Sequence, residues 1–403
     1  MNDVLTHGPV MRRAVLGGFG ALFAWPYAPR LARAAGRDPR LLVVILRGGL
    51  DGISMLQPVG DPAFAALRGA DSGQTVPLDG LFGLHANMPK LLAMFQAKEA
   101  IALHAAHTPY RGRSHFDGQD VLESGLPRVT TGERTGWLNR ALTALPRGER
   151  VAPPKGLAIA PVVPVIMQGP APVETWQLQR FHYANDDLVA RLLDLYEARD
   201  PRLAEALRGG AQLDTLMQET PPGAPGTQRV PGRPDFVTES AAAARIMVQP
   251  DGPRIAVLGL NGWDTHSTQG TARGGLANRL GALDDALDAL RTGLGPVWSD
   301  TVVAVVTEFG RTARLNGTGG TDHGMATAAL LLGGRLNGGR VLADWPGLAP
   351  HELYENRDLR PTTDLRAVLA GVMVDHLHFP VRAVADVFPD TVPVRPVPGL
   401  IRA

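Results

Sequence analysis

Residues 41–52 read LLVVILRGGLDG. The six leading residues are all Leu, Val or Ile, which fits a strand buried on both faces of a parallel sheet. The run then passes without a spacer into Arg47-Gly48-Gly49-Leu50-Asp51-Gly52. Here the glycines permit a tight exit and close backbone approach, and Asp51 sets a carboxylate at the strand tip. An aspartate that merely caps a turn is the plain alternative.

The same pattern recurs along the chain. Further apolar runs lie at Ala100–Ala105, Leu157–Ile166 (interrupted by prolines), Arg254–Leu258, Val302–Thr307 and Ala328–Leu332. Helix-period segments separate them, at about 86–98, 117–124, 136–145, 185–208, 238–248 and 273–293; in the last, residues 280, 283, 287 and 290 share a face. Strand–helix alternation of this kind predicts an α/β fold, doubly wound, with a mainly parallel sheet flanked by helices. The segment 209–235, rich in Gly and Pro, reads as a loop excursion from a single domain spanning 36–403.

In open α/β sheets ligands bind beyond the carboxyl ends of the strands, so the strand exits hold the candidate residues. The second run leads to His107-Thr108-Pro109-Tyr110-Arg111-Gly112-Arg113-Ser114-His115-Phe116-Asp117, two arginines, two hydroxyls and a histidine ahead of a helix start. Helix N-termini and arginines both bind oxyanions; a capped helix with a solvated basic loop is the alternative. Asp264 and His266 follow the strand near 254–258, and Asp322-His323 sits between glycine-rich turns after Thr307-Glu308-Phe309-Gly310-Arg311-Thr312. Carboxylate oxygen and imidazole nitrogen on adjacent loops suit a divalent cation, with Glu308 either a further ligand or an acceptor for a histidine N–H. The plain alternative is that these groups satisfy loop backbone. Of the 11 histidines, His104, His107, His115, His266 and His323 lie in these segments.

Composition narrows the classes. There is no cysteine, which removes disulfides, thiolate metal sites and cysteine nucleophiles. At the N-terminus, Met11-Arg12-Arg13, an uncharged run Ala14–Ala28 and Ala32-Arg33-Ala34 read as a twin-arginine signal peptide over 1–35, with a general secretory signal or an uncleaved anchor as alternatives. The expected location is periplasmic or otherwise exported, the twin-arginine translocase being the partner during export. Without those residues the formal charge falls from +1 to −2, since four arginines and one aspartate leave with them. No basic stripe remains for nucleic acid, and no further apolar run is long enough to span a membrane.

RGGLDG (47–52), SHFDGQDVLESG (114–125), GWDTH (262–266), TEFGRT (307–312), GTGGTDHG (317–324) and TTDLRAVLAG (362–371) occur in that order. This succession resembles the exported bacterial family called domain of unknown function 1501, placed in the alkaline phosphatase and sulfatase superfamily. The resemblance covers essentially the whole chain after the signal and implies an alkaline phosphatase-like fold with metal-assisted phosphoryl or sulfuryl transfer. Carried over residue by residue, it implies metal roles for Asp51, Asp264, His266, Asp322 and His323, with zinc, calcium, magnesium or manganese as the ion. The spacing Asp264-x-His266 is shorter than the superfamily's Asp-x-x-x-His, and His351 is the nearest residue for a later histidine ligand. Arg111 falls where the nucleophile would stand, which leaves Ser114 as the chosen hydroxyl, with Thr108 and Ser54 nearby.

Two main functions follow. One is a metal-dependent hydrolase of phosphate or sulfate esters, with Ser114 as nucleophile and Arg111, Arg113 or Arg311 neutralising the oxyanion of a small anionic substrate. The other is a non-catalytic superfamily member that binds a periplasmic ligand or protein. An exported redox protein is a third class, but cysteine, a G-x-G-x-x-G after the first strand and a haem motif are all missing.

Overall fold

Leu41, Val43 and Ile45 point to one face of the first strand and Leu42, Val44 and Leu46 to the other, and all six are fully buried. The structure, a computed structural model, describes residues 37–69, 75–130, 135–146, 155–177, 186–218, 236–270 and 272–402. Residues 1–35, which the sequence reads as a twin-arginine signal peptide, therefore lie outside the described residues. Strands in chain order are β1 (Arg40–Arg47), β2 (Leu56–Gln57), β3 (Thr75–Pro77), β4 (Gly83–His85), β5 (Ala100–His107) and β6 (Gly156–Ile159). They continue as β7 (Val173–Trp176), β8 (Ile255–Asn261), β9 (Thr301–Val306), β10 (Thr327–Leu332), β11 (Arg340–Leu342) and β12 (Thr363–Asp364).

The main sheet has nine strands in the order β11-β5-β10-β9-β1-β8-β6-β7, with β12 alongside β5. It is mixed and mostly parallel: β10 alone runs against its neighbours, β5 and β9. The sequence run at 328–332 gave no sign of that reversal, because direction depends on the connection. After β9 the chain turns back on the same edge of the sheet and re-enters as β10. Asp322-His323 thus precedes a strand, yet still sits at the carboxyl edge of the parallel set.

Helices cover both faces. On the Leu42 side lie Pro89–Gln96, Phe236–Met247 and Gly275–Leu294, and on the Leu41 side Trp137–Ala144, Leu365–Asp375 and Val384–Val387. Leu280, Leu283, Leu287 and Leu290 form the buried stripe of the longest helix, the repeat that sequence periodicity singles out. Each such leucine contributes roughly 1.5–3 kcal/mol of transfer free energy.

The Gly/Pro-rich excursion needs correcting in its first part. Helix Pro201–Gln218 runs through Gly209-Gly210, so 209–218 is helical; the remainder, 219–235, lies outside the described residues. Glycine lowers helix propensity by about 1 kcal/mol without forbidding the helix, and the flanking helix formers prevail. Among the described residues no helix is long and apolar enough to cross a membrane.

Candidate metal centre

Four chain segments meet at the carboxyl edge of the sheet. The exit of β5 leads to Ser114, whose hydroxyl accepts from the backbone N–H of Asp117 and caps helix His115–Ser124. Its first residue, His115, projects toward the exit of β9, where Glu308 is fully buried. The exit of β8 supplies Asp264 and His266, and the return toward β10 supplies Asp322 and His323. Backbone bonds lace the last two loops together, from Thr321 N to Thr265 O at 3.0 Å and from Gln269 N to Gly319 O at 3.0 Å. Gly48, at φ +119°, lets the exit of β1 press on the Asp264 segment; a Cβ there would sit 2.5 Å from the Asp264 nitrogen.

Three imidazole Nε2 atoms gather around the Asp264 carboxylate. From its oxygens, His266 Nε2 is 3.0 Å away, His323 Nε2 3.4 Å and His115 Nε2 3.5 Å. The donor atoms of His115, Asp264 and His323 all lie within 4.8 Å of one another. Ligands about 2.0–2.1 Å from a tetrahedral ion stand roughly 3.3 Å apart, so these spacings suit a shared cation.

Each ring is oriented from behind. His115 Nδ1 donates to Glu308 Oε1 at 2.9 Å, His323 Nδ1 to the Arg113 carbonyl at 2.7 Å, and His266 Nδ1 faces Asp322 Oδ1 at 3.3 Å. Acceptors at all three Nδ1 positions hold the protons there and leave lone pairs at Nε2, the arrangement found behind metal-ligating histidines. His115 Nε2 is buried with no hydrogen-bond partner. His266 and His323 bring their Nε2 atoms to 2.9 Å, a distance at which two lone pairs repel unless a metal ion or a proton lies between them. The donor set therefore fits a divalent ion.

The electrostatics agree. The Glu308 hydrogen bond raises the His115 pKa against the opposing effect of burial, while burial lowers that of His323. Burial pushes the Asp264 carboxyl up, but the hydrogen bond and charge of Arg311 outweigh it and hold it below the usual carboxylate range. Glu308 behaves alike: bonds from His115, Gln119 and the Gly48 N–H overcome its burial. Phe309 stacks on His115 at 4.8 Å between ring centroids and closes that side.

Several sequence expectations are corrected. Asp51 does not join the cluster; Arg68 grips both of its oxygens at 2.6 and 2.9 Å. Asp322 lies behind His266 as an acceptor, bound also by Asn316 Nδ2 at 3.1 Å. Ser114 is a helix cap, and the helix presents His115 to the cluster instead. The three arginines are held internally. Arg111 donates to Thr108 O and Tyr110 O, Arg113 to Glu355 and Asp358, and the buried Arg311 to Gly49 O, Thr321 O, Trp263 O and Asp264. His351 is exposed outside the cluster, and His104 is a core residue between Phe82 and Trp345. Of the two roles open to Glu308, the structure shows the acceptor. A cavity of about 450 Å³ lies along helix His115–Ser124, lined by Gln119, Val163 and Pro164, with Phe116 at its edge 89% exposed; none of the four cluster residues lines it.

Comparison with known proteins adds the family. Residues 96–388, well over half of the chain, match the model described as protein of unknown function (DUF1501), and the chain belongs to that family. No curated protein matches it. Among solved structures, it is similar to a sulfatase from Pseudoalteromonas sp. at 14% identity and TM-score 0.34, covering 83% of this chain and 68% of that one. A phosphonate monoester hydrolase of Agrobacterium radiobacter gives 11% identity and TM-score 0.35, covering 76% and 70%. A protein in the alkaline phosphatase superfamily from Vibrio parahaemolyticus gives 12% and 0.34, covering 74% and 60%.

Proposed function

We propose that this protein is an exported, metal-dependent hydrolase whose centre is formed by His115, Asp264, His266 and His323. The supporting observation is the convergence of three Nε2 atoms on one carboxylate, each ring anchored at Nδ1. An imidazole-rich set suits zinc better than calcium, magnesium or manganese, which prefer oxygen ligands. A divalent ion in this position supplies Lewis-acid polarisation of a substrate oxygen and lowers the pKa of water.

The chain's own groups do the rest. Glu308, the Arg113 carbonyl and Asp322 fix the tautomers, Arg311 holds Asp264 in place, and Phe309 packs on the His115 ring. With Ser114 engaged as a cap, water is the attacking nucleophile in this reading, and the cavity beside Phe116 receives the leaving group. The ester class to test first is phosphate and sulfate, which the family resemblance implies.

Metal analysis of protein purified without chelator, paired with an ester panel, tests this. One ion per chain is expected, with turnover abolished in Asp264→Ala and His323→Ala. A parent protein without metal, or a metal-loaded protein inert to every ester, sinks it. The internal pairing of Arg111, Arg113 and Arg311 favours a second reading, a periplasmic module that binds a ligand without turnover. Metal binding together with an inert panel would select that one.

A further inference from the structure

We propose that the Arg68 guanidinium is a fixed cation in an oxygen-lined cage beneath the metal centre, so that this site operates with one divalent ion and never takes a second at Asp51. The inference deepens the metal-dependent reading and rests on it for the first ion only.

Arg68 and Asp51 are both buried, on helix Phe64–Arg68 and at the exit of β1. Every nitrogen of the guanidinium is directed at oxygen. Nη1 meets Asp51 Oδ2 at 2.6 Å and Ser54 Oγ at 3.1 Å; Nη2 meets Asp51 Oδ1 at 2.9 Å and Thr312 O at 3.1 Å; Nε meets Ala313 O at 2.7 Å. Asp51 also accepts from Ser54 Oγ at 2.7 Å and Gln269 Nε2 at 2.8 Å. Gln269 Oε1 in turn accepts from Thr265 and Thr321, the neighbours of Asp264 and Asp322. The pair is therefore stitched directly to the loops that carry the cluster.

The chemistry of the cage explains the substitution. Without the guanidinium, two carboxylate oxygens, one hydroxyl and two backbone carbonyls would line the space it leaves. Such an all-oxygen set is what hard divalent cations select, unlike the imidazoles above it. A bidentate guanidinium neutralises the same carboxylate permanently and independently of metal supply.

The test removes the built-in cation. Arg68→Ala, full length after its signal, is titrated with calcium or manganese, followed by melting temperature and by ion count per chain. The expected result is a lowered melting temperature that the cation restores, with one ion more than the parent. That extra ion disappears in Arg68→Ala/Asp51→Asn. Absence of both extra ion and thermal recovery overturns the inference. Should Arg68→Ala fail to fold, Asp51→Asn alone decides: its ion count equals the parent's if the inference holds and falls by one if Asp51 is a ligand. A parent with no ion sinks the hydrolase reading, whereas the difference between parent and Arg68→Ala still decides this one.

Discussion

His115 and Glu308 are joined by a 2.9 Å hydrogen bond whose acceptor has no exposed surface. The carboxylate also receives the Gly48 N–H at 2.9 Å and Gln119 Nε2 at 3.1 Å, so three donors from two segments, helix His115–Ser124 and the exit of β1, converge on one buried charge. That places Glu308 behind the candidate metal centre, as the group that sets the His115 tautomer.

Glu308→Gln is therefore expected to weaken metal affinity by about 10–100-fold while leaving the fold intact. The amide retains a hydrogen-bonding oxygen but loses the charge that favours a proton on Nδ1. Competition with a chelator, alongside circular dichroism, reads this directly. Unchanged affinity would show that the imidazole needs no anionic partner.

Gly48→Ala tests the approach of the β1 exit to the Asp264 loop. The position has φ +119°, and a Cβ would stand 2.5 Å from a backbone atom with no freedom to swing aside. Strain of about 1–3 kcal/mol is expected from the backbone conformation alone. The Gly48 N–H should also leave Glu308, so a lower melting temperature accompanied by weaker metal binding is the expected pair of results. A stable variant with normal binding would refute the close approach.

Most of the sheet was legible because its strands are short unbroken apolar runs, and Leu41–Leu46 is buried on both faces as such a run requires. The reversal of β10 was not, since Ala328–Leu332 reads the same in either direction. In the site, Asp264, His266 and His323 stood out as metal-type residues on strand exits. For His115 the sequence offers a histidine among the arginines and hydroxyls before a helix start; the stronger signal is its place directly after a serine cap, where the helix aims its first side chain at the sheet edge. Arg68 had no motif at all, and only the folded chain brings it 17 residues back to Asp51. Charge pairing across a fold leaves no local trace.

Leu287→Ala probes the clearest sequence prediction. Leu287 is 1% exposed in the stripe of helix Gly275–Leu294, within the buried cluster that also holds Leu42, Val44 and Leu258. A loss of about 2–5 kcal/mol is expected in denaturant unfolding, with the spread set by how far the site collapses. A loss below 1 kcal/mol would mean that the helix is not anchored by this stripe.

His104 gives the protein an acid sensitivity separate from the metal centre. Its Nε2 donates to Leu56 O at 2.9 Å, its Nδ1 accepts from the Ala105 N–H at 2.8 Å, and burial pushes its pKa down to about 4. The unfolded chain takes up this proton near pH 6.5, whereas the folded chain resists until about pH 4. The unfolded state therefore binds more protons in that window, and stability falls as pH drops through it. By pH 5 the loss from this residue is about 2 kcal/mol, approaching roughly 3 kcal/mol at pH 4. His104→Asn keeps an acceptor in place of Nδ1 and cannot titrate, so its unfolding free energy should change less between pH 7 and pH 5 than the parent's, by about that 2 kcal/mol. Parallel pH profiles for the two proteins would show that His104 is not the buried neutral group described.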